Sequence, residues 1–189
     1  MIYLIGGPGC SGKTTLAWQL LKRKNIPFFS LDYLMMGLHH GAPDLGVDPN
    51  QPEAIVAPKV WQVSKPMLVA MLENGEEYCV EGFAITPDHT DHLCELFPDD
   101  LRACFLGYCT IDLEEKWRNE GRYRENNTWL LELSHDEALV QLENMQQESI
   151  SLRERCLQKG YPFFDTSQAF NQVINQAAHY LITGSRSTK

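Results

Sequence analysis

No run in these 189 residues is long and apolar enough to span a membrane, and the opening "MIYLI" is too short for a signal-peptide core. That stretch leads straight into a glycine-rich loop, so cleaving it would destroy the loop. The reading is a cytoplasmic protein with no membrane partner. Positive charge is also scarce: 16 Lys and Arg against 25 Asp and Glu leave a formal net charge of −9. This argues against a general nucleic-acid binder, which needs a cationic excess to release counterions from phosphates. Six cysteines (Cys10, Cys79, Cys94, Cys104, Cys109, Cys156) show no C-x-x-C spacing, and three sit in apolar runs. Free core thiols are favoured over a disulfide framework or a zinc site. Internal repeats are absent. So is arginine from Lys24 to Leu101, where only Lys24, Lys59 and Lys65 supply fixed positive charge.

What the chain does have is alternation. Five short apolar runs read as strands covered on both faces: "IYLIG" (2–6), "PFFSL" (27–31), "YCVEGF" (78–83), "RACFLGY" (102–108) and "YPFFD" (161–165). Segments of helical spacing lie between them, which predicts a parallel sheet built from β-α-β crossovers. "SHDE" (134–137) has the form of a capping box and opens a long helix. Leu139, Leu142, Met145, Ser149, Leu152 and Cys156 form its inner stripe. "DTSQ" (165–168) is expected to begin the last helix, with Phe170, Ile174, Ala177, Ala178 and Leu181 facing inward. Residues 40–52, rich in Gly, Pro and Asp, read as a loop before a helix near 53–74. Residues 119–128 read as a polar, basic cover. The expected organisation is one domain over 1–183, with a frayed tail at 184–189.

The chemistry starts at "GGPGCSGKTT". Gly7 to Thr14 satisfies G-x-x-x-x-G-K-[ST] between a buried strand and an amphipathic helix, the context a phosphate-binding loop requires. Gly7, Gly9 and Gly12 let backbone N–H groups turn inward around an anion, and the helix N-terminus adds partial positive charge. Pro8, Cys10, Ser11 and Thr15 complete the loop. Lys13 is a point charge for the β- and γ-phosphates, and the Thr14 hydroxyl suits a Mg²⁺ shell. Cys10 is read as a small side chain turned from the ligand.

Three further stretches narrow the chemistry. Asp32 follows the second strand, at the sheet edge where ligands gather, and can accept a proton from an attacking hydroxyl or cap the next helix. Glu81 ends the third strand and either holds Mg²⁺ or makes a cap or lysine pair. Arg118 and Arg122 share a helical face and Arg124 follows, so a lid over about 118–128 could clamp phosphate oxygens. Paired surface arginines are the other reading. His89 and His92 in "PDHTDH" mark a polar helix start more readily than a metal site.

Taken together, "GGPGCSGKTT", "SLDYL", "VEGF", the arginine cover and "YPFFDTS" resemble a small P-loop phosphotransferase of the adenylate-kinase-like group, which includes shikimate, gluconate and antibiotic kinases. The resemblance implies an α/β/α sandwich with a five-stranded parallel sheet of order 2-3-1-4-5. It also implies ATP and Mg²⁺ as cofactors, and an adenine-side loop after the fifth strand. The chain departs from nucleoside monophosphate kinases, which carry arginine after the third strand where this chain reads "EGFAI". Phosphate-bearing acceptors normally need bidentate arginines. Tyr33, Asp44, Asp48, Glu53 and Trp61, in an acceptor-side insert over about 33–76, instead suit a neutral or cationic hydroxylated acceptor. The expectation is ATP-dependent transfer of the γ-phosphoryl group to a hydroxyl of a small, non-phosphorylated molecule. A nucleotide or phosphorylated-metabolite kinase and a nucleotide-binding regulatory module are the alternatives.

Overall fold

Each strand expected from an apolar run is present. The computed structural model describes residues 1–122 and 128–184, without the side chains of Arg122, Thr128 and Leu131. Strands β1 (Ile2–Gly6), β2 (Phe28–Ser30), β3 (Tyr78–Glu81), β4 (Leu101–Gly107) and β5 (Phe163–Asp165) form one sheet in the order β2-β3-β1-β4-β5. All pairs are parallel. The expected order of 2-3-1-4-5 is therefore the observed one.

Helices cover both faces. Along β1, Ile2 and Leu4 point into one apolar cluster, built with Val60, Leu68, Leu93, Leu152 and Cys156. Tyr3 and Ile5 point into the other, built with Leu16, Leu20, Ile174, Ala178 and Leu181. The first face belongs to α3 (Glu53–Glu73), α4 (Pro87–Leu96) and α7 (His135–Lys159), and the second to α1 (Lys13–Lys24) and α8 (Phe170–Thr183). Burial on both sides is why the strands read as continuous apolar runs rather than alternating ones. A third cluster joins Tyr108, Leu130, Ala138, Leu142 and Met145 beside the phosphate-loop region. It packs against α5 (Leu113–Arg122) and the short α6 (Thr128–Leu131).

Local signals fix several boundaries and correct others. The Ser134 capping box opens α7, with the Ser134 and Glu137 side chains exchanging hydrogen bonds with each other's backbone. The inner stripe of α7 begins at Ala138, which is fully buried, rather than at the half-buried Leu139. "DTSQ" does not start a helix. Asp165 Oδ1 accepts from the Ser167 N–H at 2.9 Å, the Ser167 hydroxyl at 2.5 Å and the Cys109 N–H at 3.3 Å. Those bonds hold a turn, and α8 begins only at Phe170, after Ala169 in the left-handed region. Between α2 (Leu31–Gly41) and α3 the expected loop contains a 3-10 turn over Pro43–Leu45. The polar helix start at α4 is capped by the Thr86 hydroxyl, and His89 stacks on Trp61 with ring centroids 4.8 Å apart. Trp61 is thereby buried in the core instead of facing an acceptor. No helix among the described residues is long and apolar enough to cross a membrane.

Candidate active site

The sheet register assembles the site. β1 Ile5 and β2 Ser30 both pair with Glu81, so the C-terminal ends of three neighbouring strands stop at one level. The phosphate loop and the start of α2 leave from that edge. A cleft of about 1410 Å³ opens there, lined by Lys13, Thr14, Asp32, Glu81, Lys116 and the 166–171 turn, among others. That volume exceeds the usual range for one small ligand, leaving room for a nucleotide and an acceptor side by side.

The loop has the strain such a cradle needs. Gly7 (φ 142°) and Gly12 (φ 99°) occupy positive-φ conformations. A Cβ on Gly7 would lie 2.2 Å from the Leu106 carbonyl oxygen, and one on Gly12 would lie 2.9 Å from the Phe170 ring. Gly9 is not in that region; Cys10 is, with φ 58°. The Cys10 thiol is pushed up to about 12, first by burial and then by the Glu120 charge, so it stays protonated and unreactive at neutral pH.

Lys13 is buried, with its ammonium donating to the Pro8 carbonyl at 2.8 Å, so it is folded over the loop. The Thr14 hydroxyl donates to Glu81 Oε1 at 3.1 Å. Glu81 is only 1% exposed, and its Oε2 has no hydrogen-bond partner among the described residues. Burial raises the Glu81 pKa above the ordinary carboxylate value; Lys13 opposes the shift, Asp32 adds to it, and the Ser30 and Thr14 hydroxyls oppose it. A buried carboxylate with one free oxygen beside a threonine hydroxyl is a fitting donor set for a hard divalent cation. The Ser11 hydroxyl is likewise buried without a partner among the described residues, as a loop built around an anion would leave it.

Asp32 does not cap its helix. Ser30 does, its hydroxyl accepting from the Asp32 N–H at 3.3 Å. Asp32 lies in the first turn of α2, exposed, with its carboxylate lining the same cleft as Lys13 and Glu81. Sequence reading thus offered two roles, and the cap went to the neighbour.

The cover is less uniform than three arginines. Arg118 is exposed and donates from Nε to the Glu114 carbonyl at 3.1 Å, within its own helix. Arg124 and the side chain of Arg122 lie outside the described residues. Among the described residues of the cover, the cation that reaches the loop is Lys116, which sequence reading passed over. Its ammonium is 2.6 Å from the Cys10 carbonyl, 2.9 Å from Glu120 and 4.6 Å from the Tyr108 ring centroid.

On the far side, the β5–α8 turn is tied to both the loop and β4. Thr166 donates to the Ser11 and Gly107 carbonyls at 3.2 and 3.1 Å, and the Thr110 N–H donates to the Ser167 hydroxyl at 2.9 Å. This fixes one wall of the cleft relative to the phosphate cradle.

A family profile described as an AAA domain matches residues 1–145. Among solved structures, the fold is similar to shikimate kinase from Bacteroides thetaiotaomicron (15% identity, TM-score 0.60, 97% of this chain and 99% of that one). It is also similar to a sugar kinase from Janibacter sp. HTCC2649 (19%, 0.55, 100% and 98%). A third similar structure is a gluconokinase from Sinorhizobium meliloti 1021 (16%, 0.52, 95% and 90%). No curated protein sequence matches significantly.

Proposed function

The chain belongs to the AAA-domain family, and we propose that it is an ATP- and Mg²⁺-dependent kinase acting on a hydroxyl of a small, non-phosphorylated molecule. One observation carries the reading: Asp32 opens onto the same cleft as Lys13, Thr14 and Glu81, with no cap to occupy it. A loop that only held a nucleotide would need the cradle but not a carboxylate presented beside it. When bound, ATP would supply the phosphoryl group and Mg²⁺ would offset phosphate charge. The 7–15 loop would hold the phosphates, Lys13 would bind the charge nearest the transfer, and Thr14 with Glu81 would hold the metal. Asp32 orients the acceptor hydroxyl and takes its proton. Lys116 sits at the loop on the cover side; Arg122 and Arg124 are the further lid cations of this reading, and Arg118 would have to leave Glu114 to join them.

Structures of this fold named for shikimate, a sugar and gluconate support a small hydroxylated acceptor. So does the lack of arginine from Lys24 to Leu101, in the elements that border Asp32. The test is acceptor-stimulated ADP release from the purified protein with polyols, sugars, amino alcohols and nucleoside monophosphates. Asp32→Asn keeps the size of the side chain but loses the base. Stimulated turnover should fall about a hundredfold, the scale of a positioned general base, with little change in ATP affinity. Preference for AMP or CMP would overturn the acceptor class, and full activity in Asp32→Asn would overturn the catalytic assignment.

A further inference from the structure

We propose that Lys116 and Thr166 are positioning residues for the phosphate cradle: each holds a loop carbonyl from behind, which turns the next backbone N–H into the loop to meet the nucleotide's phosphates. The inference rests on reading the 7–15 loop as a triphosphate cradle and adds the two residues that set its shape.

The Lys116 ammonium, carried by α5, is 2.6 Å from the Cys10 carbonyl oxygen. The Thr166 hydroxyl, in the turn after β5, is 3.2 Å from the Ser11 carbonyl oxygen. These carbonyls belong to consecutive peptides, both trans, and across a planar trans peptide the C=O and the following N–H point in opposite directions. A donor behind the Cys10 carbonyl therefore aims the Ser11 N–H the other way, and a donor behind the Ser11 carbonyl does the same for the Gly12 N–H. Neither N–H has a hydrogen-bond partner among the described residues. Cys10 (φ 58°) and Gly12 (φ 99°) stand in left-handed conformations on either side of Ser11. That alternation of hand makes successive N–H groups converge into a nest for an anion.

The loop needs to be held in this shape. Cys10 is not a glycine, and a left-handed L-residue persists only where its surroundings impose the conformation. Both donors are themselves fixed. Lys116 is buried, with its ammonium 2.9 Å from Glu120 and 4.6 Å from the Tyr108 ring centroid. Thr166 is buried, and its N–H already donates to the Gly107 carbonyl at 2.7 Å. That satisfies Gly107 and leaves the hydroxyl hydrogen for the Ser11 carbonyl. Lys13 is bonded to the Pro8 carbonyl and must leave it to reach phosphate, so it does not hold the loaded loop. Without Lys116 or Thr166 a loop peptide is free to turn over, and a carbonyl oxygen facing the cradle repels phosphate.

The test is calorimetric titration with inorganic tripolyphosphate and with ATP, well below the Tm of each variant. Isotherms report the folded molecules, so lost fold lowers the stoichiometry and not the affinity. Thr166→Val keeps the shape and removes the donor; Kd for both ligands should rise roughly three- to tenfold, the range for one neutral hydrogen bond. Thr166→Ser restores the donor and should restore the affinity. Lys116→Met should weaken both ligands by about ten- to hundredfold, because its donor is charged. In the ADP-release assay the KM for ATP should rise with Kd while the KM for the acceptor stays. Wild-type affinity in Thr166→Val, or an equal loss in Thr166→Ser, overturns the proposal and leaves the triphosphate reading of the loop intact. Loss in Lys116→Met alone also overturns it and gives the lysine a direct phosphate contact instead. The expected affinities with no acceptor stimulating ADP release uphold the positioning roles and overturn the kinase reading. No binding of either ligand by the wild type overturns both.

Discussion

Glu53→Gln should make the ligand-free protein more stable at alkaline pH while leaving it little changed at acid pH. Burial, then the neighbouring Glu148 charge, pushes the Glu53 carboxyl up to about 8 from an ordinary value of 4.5. The folded state therefore holds this proton more tightly than the unfolded chain. Stability from it is complete below about 4.5 and is lost as pH climbs to about 8. A difference of that size corresponds to a ceiling on the order of 5 kcal/mol, at about 1.4 kcal/mol per pH unit. Glu53 is only half-buried, and water can solvate the charge, so about 2–3 kcal/mol is the expected loss. For a chain of this size that is a fall in Tm of roughly 4–12 °C between pH 5 and 8.5. Glu81 and Glu148, also raised by burial, add slope of the same sign. The comparison is therefore the difference between wild type and variant, read by thermal or urea unfolding at several pH values. The Glu53→Gln curve should be flatter. Parallel pH profiles for the two proteins would refute the reasoning, because they would mean that Glu53 ionises without penalty.

Three further predictions concern the loop. Lys13→Ala should remove most triphosphate affinity and nearly all transfer, and Thr14→Ala should weaken binding in Mg²⁺ more than without it; calorimetry with and without metal checks both. Lys116→Met removes the ammonium from the Cys10 carbonyl and from Glu120, which is itself buried. Breaking one side of a buried pair costs about 3–5 kcal/mol, so Tm should drop by roughly ten degrees and turnover should fall with it. A Tm within a degree or two of wild type would show that the lysine does not hold the loop.

The sheet was legible because doubly covered parallel strands leave continuous apolar runs, and each run here became a strand within a residue or two of its expected ends. Strand order was not readable from those runs; it followed from the resemblance carried by the phosphate loop. Polar turns were harder. At "SLDYL" and "DTSQ" several adjacent side chains could cap or catalyse, and only backbone geometry decides which does. Ser30 has the extended conformation that aims its oxygen at the first turn of α2, which frees Asp32 for the cleft. Asp165 spends its carboxylate on three donors at once, which delays the helix to Phe170.

Lys116 escaped sequence reading, whereas Glu53 was expected on the acceptor side but without its neighbour Glu148. Lys116 left a trace: Leu113, Lys116, Trp117 and Glu120 follow helical i, i+3, i+4, i+7 spacing. A lysine and a glutamate on an otherwise apolar stripe are thereby marked as a pair turned inward, while Arg118 falls between its members on the outer face. Helical phase, more than charge type, is what marks Lys116 on α5. The Glu53–Glu148 contact left no comparable trace. Each acid stands on a different helix over the same face of the sheet, and each looks locally like one more solvated carboxylate. Their meeting depends on how α3 and α7 pack, which neither segment encodes alone. A sequence can show that arginine is missing beside a phosphate loop; only the packed structure shows two acids from separate helices meeting over one face of the sheet.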